Sequence, residues 1–471
     1  MKKKSVILTV VTTLFFLGGC TLAPNYTRPA SPVPAQWPTG PAYQETATGK
    51  FEQTASELQW KDFITDKKMQ KIIEISLKNN RDLRIAALNV ERARAYYGIS
   101  RAELLPSVNA AGSMYKERMP GDLSSTGSAM TTEKYSVNIG ISSWEIDFFG
   151  RIRSLKDRAL EQYLATQEAH RIAQISLISA VAQAYLVLAA DRENLKTAIS
   201  TLGTQEAAYK LIQKRFDAGI ISELDVKRAQ SQVEAARGDV ARYKQLTAQD
   251  ENFLNLLTGS ITTEELLPKD LMSVGIPKDF SPGLSSNVLL LRPDILAAEH
   301  QLKAANANIG AARAAFFPRI ALTTTIGTAS TELSGLFKAG QGTWTFAPQI
   351  VMPIFDARTW SAYDVTKAER EISIAQYEKA IQTAFREVAD ALAEKSMVDQ
   401  RISAQQSLVD AIAETYRLAD ARYSKGIDSY LSVLDAQRSL YSAQQGLTML
   451  HLVKINNQIV LYKILGGGKD N

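Results

Sequence analysis

Arg215-Phe216-Asp217-Ala218-Gly219-Ile220-Ile221-Ser222 returns 207 residues later as Arg422-Tyr423-Ser424-Lys425-Gly426-Ile427-Asp428-Ser429, and this match decides how the chain is built. The residues that follow each copy match as well. Val226, Ala229, Val233, Ala236, Val240 and Tyr243 are spaced 3,4,3,4,3, and so are Val433, Ala436, Leu440, Ala443, Leu447 and Leu450. That is the seam of a coiled coil. Upstream, Asp82-Leu83 through Arg101-Ala102 to Pro106-Ser107-Val108 parallels Asp294-Ile295 through Arg313-Ala314 to Pro318-Arg319-Ile320 at an offset of 212. Two copies of one structural plan account for all of these matches.

Each copy reads as a helix, a β-hairpin, one very long helix, a tight turn and a second helix. In the first repeat, residues 61–259, the hairpin falls at about 106–147, the long helix at about 151–218 and its partner at about 223–258. A linker at 260–291 carries Pro268, Pro277 and Pro282. In the second repeat, 292–468, the hairpin falls at about 318–355 and the helices at about 357–425 and 428–465. A proline-free helix over 151–218 would extend about 100 Å at roughly 1.5 Å per residue, a length with no use in a compact globule. Ile178, Val181, Tyr185 and Leu188, and again Ile381, Phe385, Val388 and Leu392, keep the 3,4 spacing. Ala182, Ala184, Ala384 and Ala391 let neighbouring helices approach closely. At the turns, Gly219 and Gly426 suit the left-handed position after a helix, and Ser222 and Ser429 suit the cap of the next.

After Pro106 and Pro318 the period falls to two. Tyr135, Val137, Ile139 and Ile141 alternate with Lys134, Ser136, Asn138, Gly140 and Ser142. Ile320, Leu322, Thr324 and Ile326 form one face in the second copy, with Trp344, Phe346, Ile350 and Met352 on its partner strand. Alternation alone also fits soluble hairpins packed on a helix. Strands of about ten residues are long enough to cross a bilayer when tilted. The loops Glu117 to Thr132 and Ala329 to Gly342 are rich in Gly, Ser and Thr, while Trp144, Phe148, Phe149 and Trp360 stand where an aromatic girdle belongs. Pro348 calls for a bulge or an edge strand. Four strands cannot enclose a wet lumen, and open edges are not tolerated in lipid, so several protomers must share a barrel. Two would fill it with side chains; three leave room for passage.

Lys2, Lys3 and Lys4 followed by the apolar run Val6 to Leu17 read as a signal peptide, 1–19. Leu17-Gly18-Gly19-Cys20 resembles a bacterial lipobox, with Cys20 as the lipidated residue of an extended N-terminal segment, 20–60. Cys20 is the only cysteine, which excludes disulfides and cysteine metal cages. Thr21, in place of Asp, permits sorting to the outer membrane. Cleavage leaves 51 basic against 49 acidic residues, too balanced for a nucleic-acid partner. His170, His300 and His451 stand isolated in helical patterns, so neither a catalytic nor a metal site is expected and no cofactor is called for.

Cys20 with Pro24-Asn25-Tyr26-Thr27-Arg28-Pro29, Asn80-Arg81-Asp82-Leu83-Arg84, and Trp144-Glu145-Ile146-Asp147-Phe148-Phe149-Gly150-Arg151 together resemble the outer-membrane factors of tripartite efflux and secretion systems. Ala311-Ala312-Arg313-Ala314-Ala315-Phe316-Phe317-Pro318, Tyr430-Leu431-Ser432-Val433-Leu434-Asp435-Ala436-Gln437-Arg438 and Leu465-Gly466-Gly467-Gly468 extend the likeness over the mature chain. It is strongest toward the OprM-like lipoprotein branch of this TolC and OprM type. The resemblance implies a mixed α and β membrane protein of a Gram-negative bacterium. Its homotrimer would form a twelve-stranded outer-membrane β-barrel, four strands per protomer, continued by a long periplasmic α-helical barrel. Function would be passive conduction of drugs or other small molecules. The implied partners are a periplasmic adaptor, an inner-membrane transporter of the resistance-nodulation-division type, and outer-membrane lipid.

By the same resemblance Leu431 and Asp435 line a periplasmic gate, with Arg438 pairing either Asp435 or Asp225 of a neighbouring helix. Tyr423 and Asp225 match the gate Tyr and Asp of the TolC pattern, but Asp428 stands where that pattern has Arg, which weakens a direct transfer of its latch. The turns, through Gly219, Ile220 and Ser222 and through Gly426, Ile427 and Ser429, would contact the adaptor. A protein-secretion or metal-cation duct is a rival within the family. Outside it, the rival is a lipid-anchored, non-conducting coiled-coil spacer.

Overall fold

A computed structural model describes residues 21–43, 55, 57–280 and 285–467. The expected signal peptide and Cys20 lie outside the described residues. Helices α1 (Trp60–Phe63), α2 (Lys67–Asn79) and α3 (Arg81–Ala102) lead into strands β1 (Val108–Met119) and β2 (Met130–Ile146), then α4 (Arg151–Asp217) and α5 (Glu223–Thr258). Short 3-10 turns cross the join. The second copy supplies α6 (Pro293–Ala314), β3 (Arg319–Ser330), β4 (Gly342–Val351), α7 (Ala357–Ser424) and α8 (Tyr430–Ile464).

Where the repeat pattern suggests a single opening helix in the first copy, the chain breaks twice. Asp66 accepts the Met69 N–H at 2.8 Å and caps α2. Asn80, with extended backbone, ends α2 and begins α3: its Oδ1 accepts the Leu83 N–H at 2.9 Å while its amide donates to the Leu257 carbonyl at 3.0 Å.

Contacts gather the described residues into two compact units, each drawing on both copies. One comprises the described residues of 1–30, 89–167 and 297–377, and it holds the sheet. Its four strands are antiparallel in the order β1-β2-β3-β4, leaving β1 and β4 as open edges. The registers sort the side chains into two faces. Val108, Ala110, Met114, Val137, Ile139, Ile141, Ile320, Leu322, Ile326, Trp344, Phe346 and Ile350 share one. Asn109, Ser113, Ser136, Asn138, Thr323, Thr325, Thr343, Thr345 and Gln349 share the other. Pro348 lies on the edge strand β4, opposite Leu322 in unbroken register.

The irregularity falls instead in β2, where the register slips between Ile141 and Trp144 and Ser143 adopts a φ of 57°. One extra residue inverts the alternation. Trp144 and Ile146 thereby join the apolar face, opposite Leu322 and Ile320, instead of the polar one. On the polar face, Gly140 and Gly327 sit where a Cβ would lie 2.2 Å from the Thr324 carbonyl oxygen and 2.1 Å from that of Val137. Only glycine permits strands to approach this closely.

The second unit comprises the described residues of 31–88, 168–296 and 378–471. Val181, Ala182, Tyr185, Leu186, Leu188 and Ala189 of α4 are buried there, as are Ile381, Ala384, Val388 and Leu392 of α7. The α4 stretch is apolar and long enough to cross a membrane by composition. Its burial against protein identifies it as core, filled by the coiled-coil positions read from the sequence.

Candidate functional site

Both turns form by the same chemistry. Gly219 (φ 73°) and Gly426 (φ 72°) adopt the left-handed conformation that a side chain would disfavour. Gly219 N–H donates to Phe216 O at 2.8 Å and Ile220 N–H to Arg215 O at 2.9 Å. Gly426 to Tyr423 and Ile427 to Arg422, at 2.9 and 3.0 Å, repeat the pattern. These are Schellman ends, which satisfy the last carbonyls of α4 and α7. The caps differ: Ser222 accepts the Asp225 N–H, but Ser429 makes no side-chain cap, contrary to the symmetric expectation. The glycines, Ile220, Ser222, Ile427 and Ser429 are all exposed, so each turn offers a small apolar knob flanked by polar groups.

Behind the turns, Ile212, Val226, Ala229, Tyr430, Val433 and Leu434 form a buried cluster, so both helical hairpins meet in one small core. Tyr209, Ile221, Tyr416 and Tyr423 pack on its rim. The Tyr423 and Tyr430 rings lie 5.2 Å apart, and the Arg215 guanidinium sits 5.0 Å from the centre of the Tyr423 ring. Burial pushes the Tyr430 hydroxyl up to about 12, and that hydroxyl has no hydrogen-bond partner among the described residues.

Of the five residues expected at the gate, the chain brings together Asp435 and Arg438, 3.2 Å apart on one exposed helical face with Leu431 exposed one turn before. Asp225 is engaged within its own helix, accepting from the Ser222 hydroxyl at 3.0 Å with Arg228 at 3.9 Å. Tyr423 faces Arg215 and Tyr430. At the second turn Asp428 binds Arg422 through both oxygens, at 2.5 and 3.3 Å. That pair holds Asp428 below the ordinary carboxylate range, chiefly through its hydrogen bond.

A second arrangement, in the unit that carries the sheet, was missed by sequence reasoning. Residues 22–28 run antiparallel to α6 as a strap. Arg313 donates to the Leu22 carbonyl at 3.1 Å and Asn306 to the Pro24 carbonyl at 2.7 Å. Arg28 reaches Glu299 at 2.7 and 3.2 Å, Tyr26 donates to it at 3.2 Å, and Lys303 stands 3.1 Å away. Burial alone would raise Glu299, but the hydrogen bonds from Arg28 and Lys303 outweigh it and hold the carboxyl below its ordinary range. Gly310 makes room for the strap, since a Cβ there would lie 2.7 Å from the Ala23 nitrogen. The strap carries residue 21 toward the end of α6 that feeds β3.

Among the described residues no group of His, Cys, Asp and Glu could hold a metal ion, and His300 is occupied by Glu161 at 2.6 Å.

The family model for outer membrane efflux proteins matches residues 72–260 and 284–467. The probable efflux pump outer membrane protein TtgC of Pseudomonas putida is 46% identical over 463 residues, covering 98% of this chain and 95% of that one. The outer membrane protein OprJ of Pseudomonas aeruginosa is 40% identical, covering 100% and 97% respectively. The solved open state of the Neisseria gonorrhoeae MtrE outer membrane channel superposes with a TM-score of 0.84 at 37% identity, over 95% of this chain and 98% of that one.

Proposed function

The chain belongs to the outer membrane efflux protein family, and from that premise we propose that three copies build one gated duct through which small molecules leave the cell passively. It is an outer-membrane channel of an efflux system, with a large periplasmic part. The observation that carries the proposal is the sheet: one face apolar, one polar, and both edges open. In hydrocarbon an unpaired edge costs several kcal/mol per exposed backbone group, so the edges must close on neighbouring copies. Twelve strands leave a wet lumen lined by Asn109, Ser113, Ser136, Asn138, Thr323, Thr325, Thr343 and Thr345. A spacer would have no use for that polar face.

At the periplasmic end the threefold axis turns Leu431 and Asp435 into rings. Three carboxylates brought together attract cations and repel anions. Arg438 partly offsets this charge through an exposed pair worth about 0 to 1 kcal/mol, so the constriction is weakly held and opens under load. Asp225 and Tyr423 belong to the same tip. The exposed turns around Gly219, Ile220 and Ser222 and around Gly426, Ile427 and Ser429 suit a periplasmic adaptor, which links the duct to an inner-membrane transporter of the resistance-nodulation-division type. That transporter supplies energy and selects cargo; the duct does no chemistry and needs no cofactor. Acyl chains on Cys20 tether the trimer to lipid.

The test is single-channel conductance of the purified trimer in planar bilayers. Wild type should conduct weakly, Asp435→Ala should lower cation preference, and Arg438→Ala should raise conductance. An inserted trimer that passes no current in any form refutes the duct and restores the spacer.

A further inference from the structure

The two turns derive from one duplicated stretch, yet their arginines do different things. Arg422 closes its own turn on Asp428. The position matching Asp428 in the first copy is Ile221, which packs on the buried cluster instead. Arg215, the counterpart of Arg422, thus has no acid at that matching position; the nearby Asp217 accepts from Gln213 instead, and Arg215 makes no ion pair among the described residues. It crosses to the other hairpin, where its guanidinium sits 5.0 Å from the ring centre of Tyr423. Tyr423 in turn leans on Tyr430 at the start of α8. Arginine suits this position because a planar, weakly hydrated cation can rest on an aromatic face beside apolar side chains. Asp225, which matches the gate Asp of the TolC pattern, is engaged by Ser222 and Arg228.

We propose that Arg215 is a positioning residue of the gate: through the Tyr423 ring it couples the α4–α5 hairpin to the α7–α8 hairpin within each protomer, and so sets how readily the periplasmic end opens. The proposal rests on the duct reading above. A cation on an aromatic face at a partly exposed site shifts an equilibrium by roughly two- to fivefold, so three protomers moving together give a change of about ten- to a hundredfold.

Purified trimers of Arg215→Ala, Arg215→Lys, Tyr423→Phe and Tyr423→Leu would be compared in planar bilayers for the ratio of open to closed time. Arg215→Ala and Tyr423→Leu should each raise that ratio by about one to two orders of magnitude, and the double variant should rise no further than either alone. Arg215→Lys, which keeps the cation, and Tyr423→Phe, which keeps the ring, should restore most of the closed time. Tyr423→Phe also keeps the packing of the ring on the buried cluster, so it is the failure of the Arg215→Ala and Tyr423→Leu effects to add that separates the cation–ring link from a lost core contact. If Arg215→Ala gates like wild type, or if its effect adds fully to that of Tyr423→Leu, the coupling is wrong. If Tyr423→Phe opens as far as Tyr423→Leu, the hydroxyl carries the link and Arg215 does not. A second measurement is independent of conduction. Spin labels on Ile220→Cys and Ile427→Cys, one on each turn, should show a broader distance distribution in Arg215→Ala than in Arg215→Lys. An unchanged distribution overturns the proposal even where no variant conducts, whereas silence of the wild type with a broadened distribution would count against the duct alone.

Discussion

Replacing Asp250 by Asn should make the protein more stable at pH 8 while leaving it unchanged near pH 4. Asp191 of α4 and Asp250 of α5 hydrogen-bond to each other between the helices of the first hairpin, with Asn194 and Arg242 near Asp191 and Glu251 beside Asp250. Burial first, then the neighbouring Asp191 charge, pushes Asp250 up to about 7, and burial raises Asp191 as well. The folded pair therefore keeps a proton that the unfolded chain gives up near pH 4. Stability falls as pH rises from that value through about 7, and is flat beyond. A shift of about three units corresponds to about 4 kcal/mol at full burial. Both groups are only partly buried, so solvent screening reduces this to about 1–2 kcal/mol per protomer. Asn retains the size and donates an amide hydrogen to Asp191 without needing a proton. Thermal unfolding of the detergent-solubilised trimer, followed by circular dichroism at several pH values between 4 and 8, should show wild type losing stability over that range relative to Asp250→Asn. Parallel curves, or a variant less stable at pH 8, would refute the shared proton.

Gly327→Ala places a Cβ against the Val137 backbone and should abolish heat-resistant trimers on gels, whereas Gly112→Ala, whose Cβ meets nothing closer than 3.9 Å, should assemble normally. Ser143→Gly relieves a left-handed backbone and should raise unfolding stability by about 0.5–1 kcal/mol, measured by urea titration. Arg28→Ala leaves the buried Glu299 with Lys303 and Tyr26 alone. Because Arg28 is half-exposed, the cost should be about 1–2 kcal/mol, and limited proteolysis should cleave residues 21–43 faster than in wild type. The Arg28 link is present above the ordinary carboxylate range and lost as pH falls through the depressed value of Glu299, so the two proteins should converge in acid.

The duplication, the long helices and the turns were legible because each rests on local chemistry. Gly219 and Gly426 need only their own backbone, and Ser222 only the next turn. The two faces of the sheet followed from alternation alone up to Ile141. Beyond it a strict period of two puts Trp144 on the wrong face, because nothing in Ser142-Ser143 announces that one residue drops out of register. The strap and the place of Arg215 were hidden for another reason: their partners are remote in sequence, and pairing of an arginine with a distant ring or carboxylate leaves no periodic trace. The symmetric expectation for Ser429 failed where the two copies diverged, with its neighbour Asp428 turned to Arg422.

The strap has a consequence for the order of events in assembly. Arg28 and Glu299 are 271 residues apart along the chain, and Leu22 and Arg313 are 291 apart. Residues 22–28 thus have no seat until α6, deep in the second copy, has been made and folded. A truncated or half-folded chain would leave residues 22–28 loose; only a finished one seats them on α6. Seating of residues 22–28 is therefore a built-in report that the second copy has folded.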